Sequence, residues 1–116
     1  MNLKEIITAL NLTVFTKSGW LENTSPTGGY ASDLLSCVMA KAQAGNVWVT
    51  LQAHPNIVAV ASLLNLAGII ITEGVSPDEG TLAKAREEGV LLLTTPRTTF
   101  SVVGELFRLG VLGVDS

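Results

Sequence analysis

The sequence predicts an α/β fold, a mostly parallel sheet with helices on both faces. Two observations lead there. Short runs rich in Val, Ile and Leu ("VWVTL", "GIIIT", "VLLLT") recur along the chain with one helix-like segment between each and the next. Runs that are apolar throughout suit strands buried on both sides, and a single intervening helix makes the crossover that parallel pairing requires. The second observation is the set of caps and stops, Ser, Asp, Thr or Pro before the helical segments and Gly after several of them.

Leu3, Ile6, Ile7 and Leu10 have helical spacing, and Asn11 interrupts them before the strand-like "LTVFT" of residues 12–16. Lys17 to Pro26, "KSGWLENTSP", is polar and turn-rich and reads as a surface loop, with Trp20 either anchored by packing or marking a contact. "TGGYAS" opens the next strand, where Gly28-Gly29 suggests close backbone approach or a bulge. A helix is expected over Asp33 to Ala44, with Leu34, Leu35, Val38, Met39 and Ala42 as its stripe, Ser32 or Asp33 as N-cap and Gly45 as stop.

"VWVTL" then leads to a helix from Pro55 to Leu66 and to the strand "GIIIT". Ser76-Pro77-Asp78-Glu79 has the form of a capping box with proline at the first helical position, predicting a helix from Pro77 to Glu88 that stops at Gly89. "VLLLT" is the last strand and "TTFSVVGELFRLG" the last helix, capped by Thr98 or Thr99 and ended by Gly110. Residues 1–112 form one expected domain, and 113–116 a tail of uncertain order.

A chain of 116 residues can bury a core without staples, which are needed mainly below about 40 residues. Its one cysteine, Cys37, permits no intramolecular disulfide and fits a reduced, cytoplasmic setting; mid-helix between apolar neighbours, it reads as a packed thiol. With seven basic against ten acidic residues and no basic cluster, nucleic acid is not an expected partner. The amino-terminal stretch has Glu5 within its apolar pattern and no cleavage site, so no signal peptide is expected. "PNIVAVASLLNLAGIIIT", residues 55–72, carries no charge and approaches the ~18 apolar residues of a membrane span. Gly68 divides it into a helix-like half and a β-branched half, so a buried helix and strand are expected and no membrane partner. The 47% hydrophobic content and mean hydropathy of +0.45 predict burial at a subunit interface as well as in a core, hence a homodimer, for which the Leu34/Val38/Met39 stripe is available.

In parallel sheets, ligands bind beyond the carboxyl ends of the strands, where helix N-termini present free N–H groups. That rule selects Ser32 and Asp33; Gln52, His54 and Asn56; Glu73 with Ser76; and Thr95 and Arg97 with Thr94 and Thr98. Ser, Asp, Asn and Thr at such turns also cap helices with nothing bound. His54, the one histidine, is set beside Pro55, and the helix dipole disfavours a protonated imidazole there, leaving a neutral donor-acceptor. It is read either as a satisfied structural residue or as a ligand contact. No phosphate-binding G-x-x-x-x-G-K-[ST], no dinucleotide G-x-G-x-x-G and no zinc-ligand set occurs, and no cofactor is expected.

The order of elements, with "TGGYASDLLSCVMAKAQAGNVWVTLQAHPNIVAVASLLNLAGIIITEG" and "GVLLLTTPRTTFSVVGEL", resembles the DRTGG domain, a family similar to the amino-terminal domain of HPr kinase/phosphorylase. The eponymous motif is degenerate: Thr27-Gly28-Gly29 matches its last letters, and Ser25-Pro26 stand where Asp-Arg would be. The resemblance implies a small α/β domain, often fused to CBS pairs or to enzymes, regulatory or ligand-sensing, without activity of its own. Stand-alone copies accompany redox and hydrogenase genes in anaerobic bacteria. Two readings follow. One is a non-catalytic regulatory or interaction module, homodimeric, taking a small polar or anionic ligand or a partner enzyme. The other is a small enzyme or phosphoacceptor using His54 as base or phosphorylated residue.

Overall fold

A computed structural model describes residues 1–16, 19 and 21–116. The elements in order are α1 (Leu3–Leu10), β1 (Thr13–Val14), β2 (Gly28–Ala31), α2 (Leu35–Lys41), β3 (Asn46–Thr50), α3 (Asn56–Leu64), β4 (Gly68–Ile71), α4 (Glu79–Glu88), β5 (Leu92–Thr94) and α5 (Thr99–Arg108). The five strands make one sheet in the order β1-β5-β4-β3-β2. All neighbours are parallel except β1, which runs antiparallel to β5 with Thr13 opposite Thr94 and Val14 opposite Leu93. The predicted α/β class and mostly parallel sheet are what the chain forms.

Alternation along each strand divides the core in two. Val47, Val49, Ile70 and Leu93 point to the layer made by α1 and α5, against Leu3, Ile6, Leu10, Val102 and Leu106. Trp48, Ile69, Ile71 and Leu92 point the other way, against Val38 of α2, Ile57, Val58 and Ala61 of α3 and Ala85 of α4. The uncharged stretch 55–72 is thus a helix and a strand buried in this sandwich. Among the described residues no helix is long and apolar enough to cross a membrane.

Three helices differ at their ends from the sequence reading, and α2 stops at Lys41, with Ala42 already extended, before the expected end at Ala44 and stop at Gly45. The chain enters α2 at Leu35, two residues after the expected start, because Asp33 spends its carboxylate on the end of β3 and Leu34, the cap residue, makes no side-chain cap bond. Of the expected stripe only Val38 is fully buried; Leu34 and Met39 remain exposed. α3 runs from Asn56 and ends at Leu64, with Asn65 left-handed after it. α4 begins at Glu79, since Asp78 and not Ser76 is the N-cap, accepting from the Thr81 amide at 2.8 Å and from the Thr81 hydroxyl at 2.9 Å. At the last helix Thr98 caps as expected, accepting from the Ser101 amide.

Of the expected loop, Leu21 and Thr24 accept from the amides of Lys4 and Leu3 at the start of α1; Lys17, Ser18 and Trp20, and with Trp20 the question of its anchoring, lie outside the described residues. Gly28-Gly29 serves close approach: the Gly29 amide donates to the Leu112 carbonyl at 2.8 Å, and a Cβ on Gly28 would stand 2.9 Å from that same oxygen. Gly113 pairs in parallel with Gly29, so the residues after α5 are laid along β2.

Candidate functional site

The carboxyl ends of β2 to β5 open on one edge of the sheet, and α2, α3 and α4 all leave it toward the same face. α5 leaves toward the opposite face. The loops after β4 and β5 therefore diverge, which is the position where open parallel sheets form a ligand crevice.

The candidate residues fall into three groups along this edge. After β2 and β3, the Asp33 Oδ1 accepts from the Thr50 hydroxyl and the Leu51 amide, both at 2.8 Å. Gln52 donates from its side chain to the Asp33 carbonyl at 3.2 Å and from its amide to the Thr50 hydroxyl at 3.1 Å. Ser32 accepts from the Leu34 amide through its hydroxyl and from the Trp48 indole N–H through its carbonyl. These bonds fasten the outer strand to β3.

At the start of α3, the His54 Nδ1 accepts from the Asn56 amide at 3.1 Å. The imidazole thus takes one of the free N–H groups of the helix, doing what an Asx or Ser side chain does elsewhere. An accepting Nδ1 leaves the proton on Nε2. Next to it, the buried Thr81 hydroxyl, whose single proton is shared between the Ala53 carbonyl at 2.6 Å and the Asp78 carboxylate at 2.9 Å, ties α4 to this turn. Bonds from the Thr81 amide and hydroxyl hold the Asp78 carboxyl below the ordinary aspartate range.

Across the divergence between β4 and β5, Glu73 has a left-handed backbone (φ 64°), and its Oε2 accepts from the Thr99 amide at 2.7 Å at the start of α5. The Glu73 amide donates to the Arg97 carbonyl and the Gly74 amide to the Thr95 carbonyl. The Arg97 amide donates to the Thr95 hydroxyl, and the hydroxyls of Thr72 and Thr99 lie 2.6 Å apart. The two loops are thereby stitched together, leaving an open cavity of 190 Å³ lined by Gly74, Val75, Ser76, Thr94, Thr95 and Pro96.

All the candidates thus sit on one edge, but Asp33, His54 and Glu73 each have an acceptor atom engaged with the backbone. Among the described residues no group of three or more His, Cys, Asp or Glu is placed to hold a metal. Sequence reasoning missed the threonines Thr50, Thr72 and Thr81 that make this lattice, and it read Asp78 and Thr99 as parts of helix starts and not of the strand edge. For Thr50 and Thr72 a signal was present: "VWVT" and "IIIT" each end a strand with Thr, as "LLLTT" does.

Fold and edge together define the class: a small α/β domain whose parallel strands end in capped, cross-linked turns. No family model and no curated protein matches the sequence. Among solved structures, the chain is similar to the crystal structure of the CBS and DRTGG domains of the regulatory region of Clostridium perfringens pyrophosphatase, complexed with its activator diadenosine tetraphosphate. The TM-score is 0.77 at 17% identity, covering 98% of this chain and 48% of that one. The chain therefore spans about half the length of that structure, and the likeness is one of fold.

Proposed function

We propose that this chain is a non-catalytic regulatory module, of the DRTGG kind, that senses a small polar or anionic ligand at the carboxyl edge of its sheet. The observation that carries the reading is the shared fold with a regulatory region that, in the pyrophosphatase, is complexed with a nucleotide activator. The lattice of caps adds to it, because the His54 Nδ1 and one carboxylate oxygen each of Asp33 and Glu73 are committed to backbone N–H groups. The candidate contacts remain Ser32, Asp33, Gln52, His54, Asn56, Glu73, Thr95 and Arg97; Arg97 is exposed and supplies positive charge. A homodimer, a single domain over residues 1–112, a cytoplasmic setting, a partner enzyme and a redox or hydrogenase context complete the proposal.

Calorimetric titration with a panel of adenine nucleotides and small anions tests it, alongside mass spectrometry of whatever the purified protein retains. A ligand whose affinity falls at least tenfold in Arg97→Gln, and which the protein leaves chemically unchanged, is the expected outcome. A phosphoryl mass increment on His54 after incubation with a phosphoryl donor would instead make the protein a phosphoacceptor and sink the sensing role.

A further inference from the structure

We infer that α5 is the dimer face of this protein, and that a second copy of the chain packs on it about a two-fold axis beside Gly104. Phe100 is 90% exposed and Phe107 62%. Residues seven apart return to the same side of a helix, so the two rings stand roughly 10 Å apart on the side opposite the buried Val102 and Leu106. Between them on that side lies Gly104, where an added Cβ would meet nothing within 4 Å. Glycine inside a helix is destabilising relative to alanine. No atom of the described chain crowds this position, so space for another chain is what it supplies.

The surface beside this notch continues the face. Val103, Phe107, Val111 and Leu112 rim a groove over Gly29 and Ala31 of β2, where α1 and α5 leave the sheet uncovered. Phe100 and Phe107 together expose roughly 300 Å² of ring, taking ~200 Å² for each aromatic side chain. Val103 and Leu112 raise this toward the roughly 500 Å² of apolar surface per protomer that a standard homodimer interface requires.

A two-fold axis beside Val103 and Gly104 sets Phe100 of one copy against Phe107 of its partner, and the notch of each helix receives the other. The same patch thus supplies knob and hole, as an isologous contact requires. Antiparallel helices also bring opposite dipole ends together, and the flanking Glu105 and Arg108 are already paired within the helix, so no lone charge is buried. A lipid surface is a poorer match: the chain is net −3 and membranes are commonly anionic. The Leu34/Val38/Met39 stripe is also poorer, since Val38 is 0% exposed and Leu34 precedes the helix.

Sedimentation of the full chain over a micromolar concentration series tests the inference. The wild type is expected at twice the chain mass. Phe100→Glu/Phe107→Glu is expected to weaken association roughly 100-fold, as loss of central aromatic anchors does, with circular dichroism unchanged. Gly104→Leu should also weaken association without lowering Tm, because the added side chain fills the notch and nothing in the monomer opposes it. Leu34→Glu/Met39→Glu should leave the dimer intact. A monomeric wild type, a dimer that survives the Phe substitutions, or one dissociated only by the α2 pair overturns the inference. None of these outcomes touches ligand binding at the strand edge, which calorimetry reads separately.

Discussion

The two helix layers hold on to the sheet by different means. α2, α3 and α4 crowd one face, and α3 is held by burial: Ile57, Val58, Val60 and Ala61 are all inside, and the one side chain that caps its N-terminus is a histidine ring. α1 and α5 cover the other face as amphipathic helices with fuller caps. Asn2 and Glu5 form a capping box on α1, while Thr98 and, from another loop, Glu73 cap α5. Where tertiary burial fixes a helix, as at α3, its N-terminus carries little local signal, and where a helix is half exposed, as at α1 and α5, its N-terminus is secured by side-chain caps.

The sharpest way to break this contrast is Trp48→Ala. Trp48 is wholly buried beneath the three-helix layer and its indole donates to the Ser32 carbonyl at 2.9 Å. Its removal is expected to cost about 3–5 kcal/mol in denaturant unfolding. A loss under about 1 kcal/mol would mean that the crowded layer is not held by its core.

A smaller effect is expected at His54→Ala. The ring is exposed and its one described bond is to the Asn56 amide, so thermal melts should report a loss within ~1–2 kcal/mol, that of a cap. A cost of a core cavity would instead place the residue in the packing and remove it from the candidate site.

The smallest difference concerns pH. Asp78 is held below its ordinary value by Thr81, so its contribution is fully present above the unfolded aspartate range and is lost as pH falls through the lower, folded value. Asp78→Asn keeps an accepting cap without the charge. The gap in Tm between wild type and this variant should be widest near neutrality and close on acidification; a gap that widens in acid would contradict the assignment.

The same contrast explains what the sequence disclosed. α1 and the Thr98 start of α5 were legible, because periodicity and cap coincide there. The ends of α2 and the start of α4 were not, although the Gly89 stop of α4 was. Asp33 has the form of a cap but is claimed by Thr50 and Leu51, eighteen residues away at most in sequence, and Ser76 loses to Asp78 because Thr81 can reach both an acceptor on Asp78 and the carbonyl of Ala53. At the strand edge, the rule for parallel sheets picked out turns that do lie together at the carboxyl ends of the strands, yet it could not tell which polar atoms the turns spend on each other. The pairing of Gly113 with Gly29 carried no local signal beyond the two glycines themselves.

That pairing bears on how the protein survives at high concentration. A sheet of Val, Ile and Leu is a template on which unpaired strands of other chains would add, and such growth starts at the borders. Here one border, β1, has only two residues and runs against its neighbour, and the other is partly occupied by Leu112 and Gly113. Both borders of the sheet are thus blunted, one by its length and direction and the other by the chain's own tail, which leaves little straight edge on which a foreign strand could add.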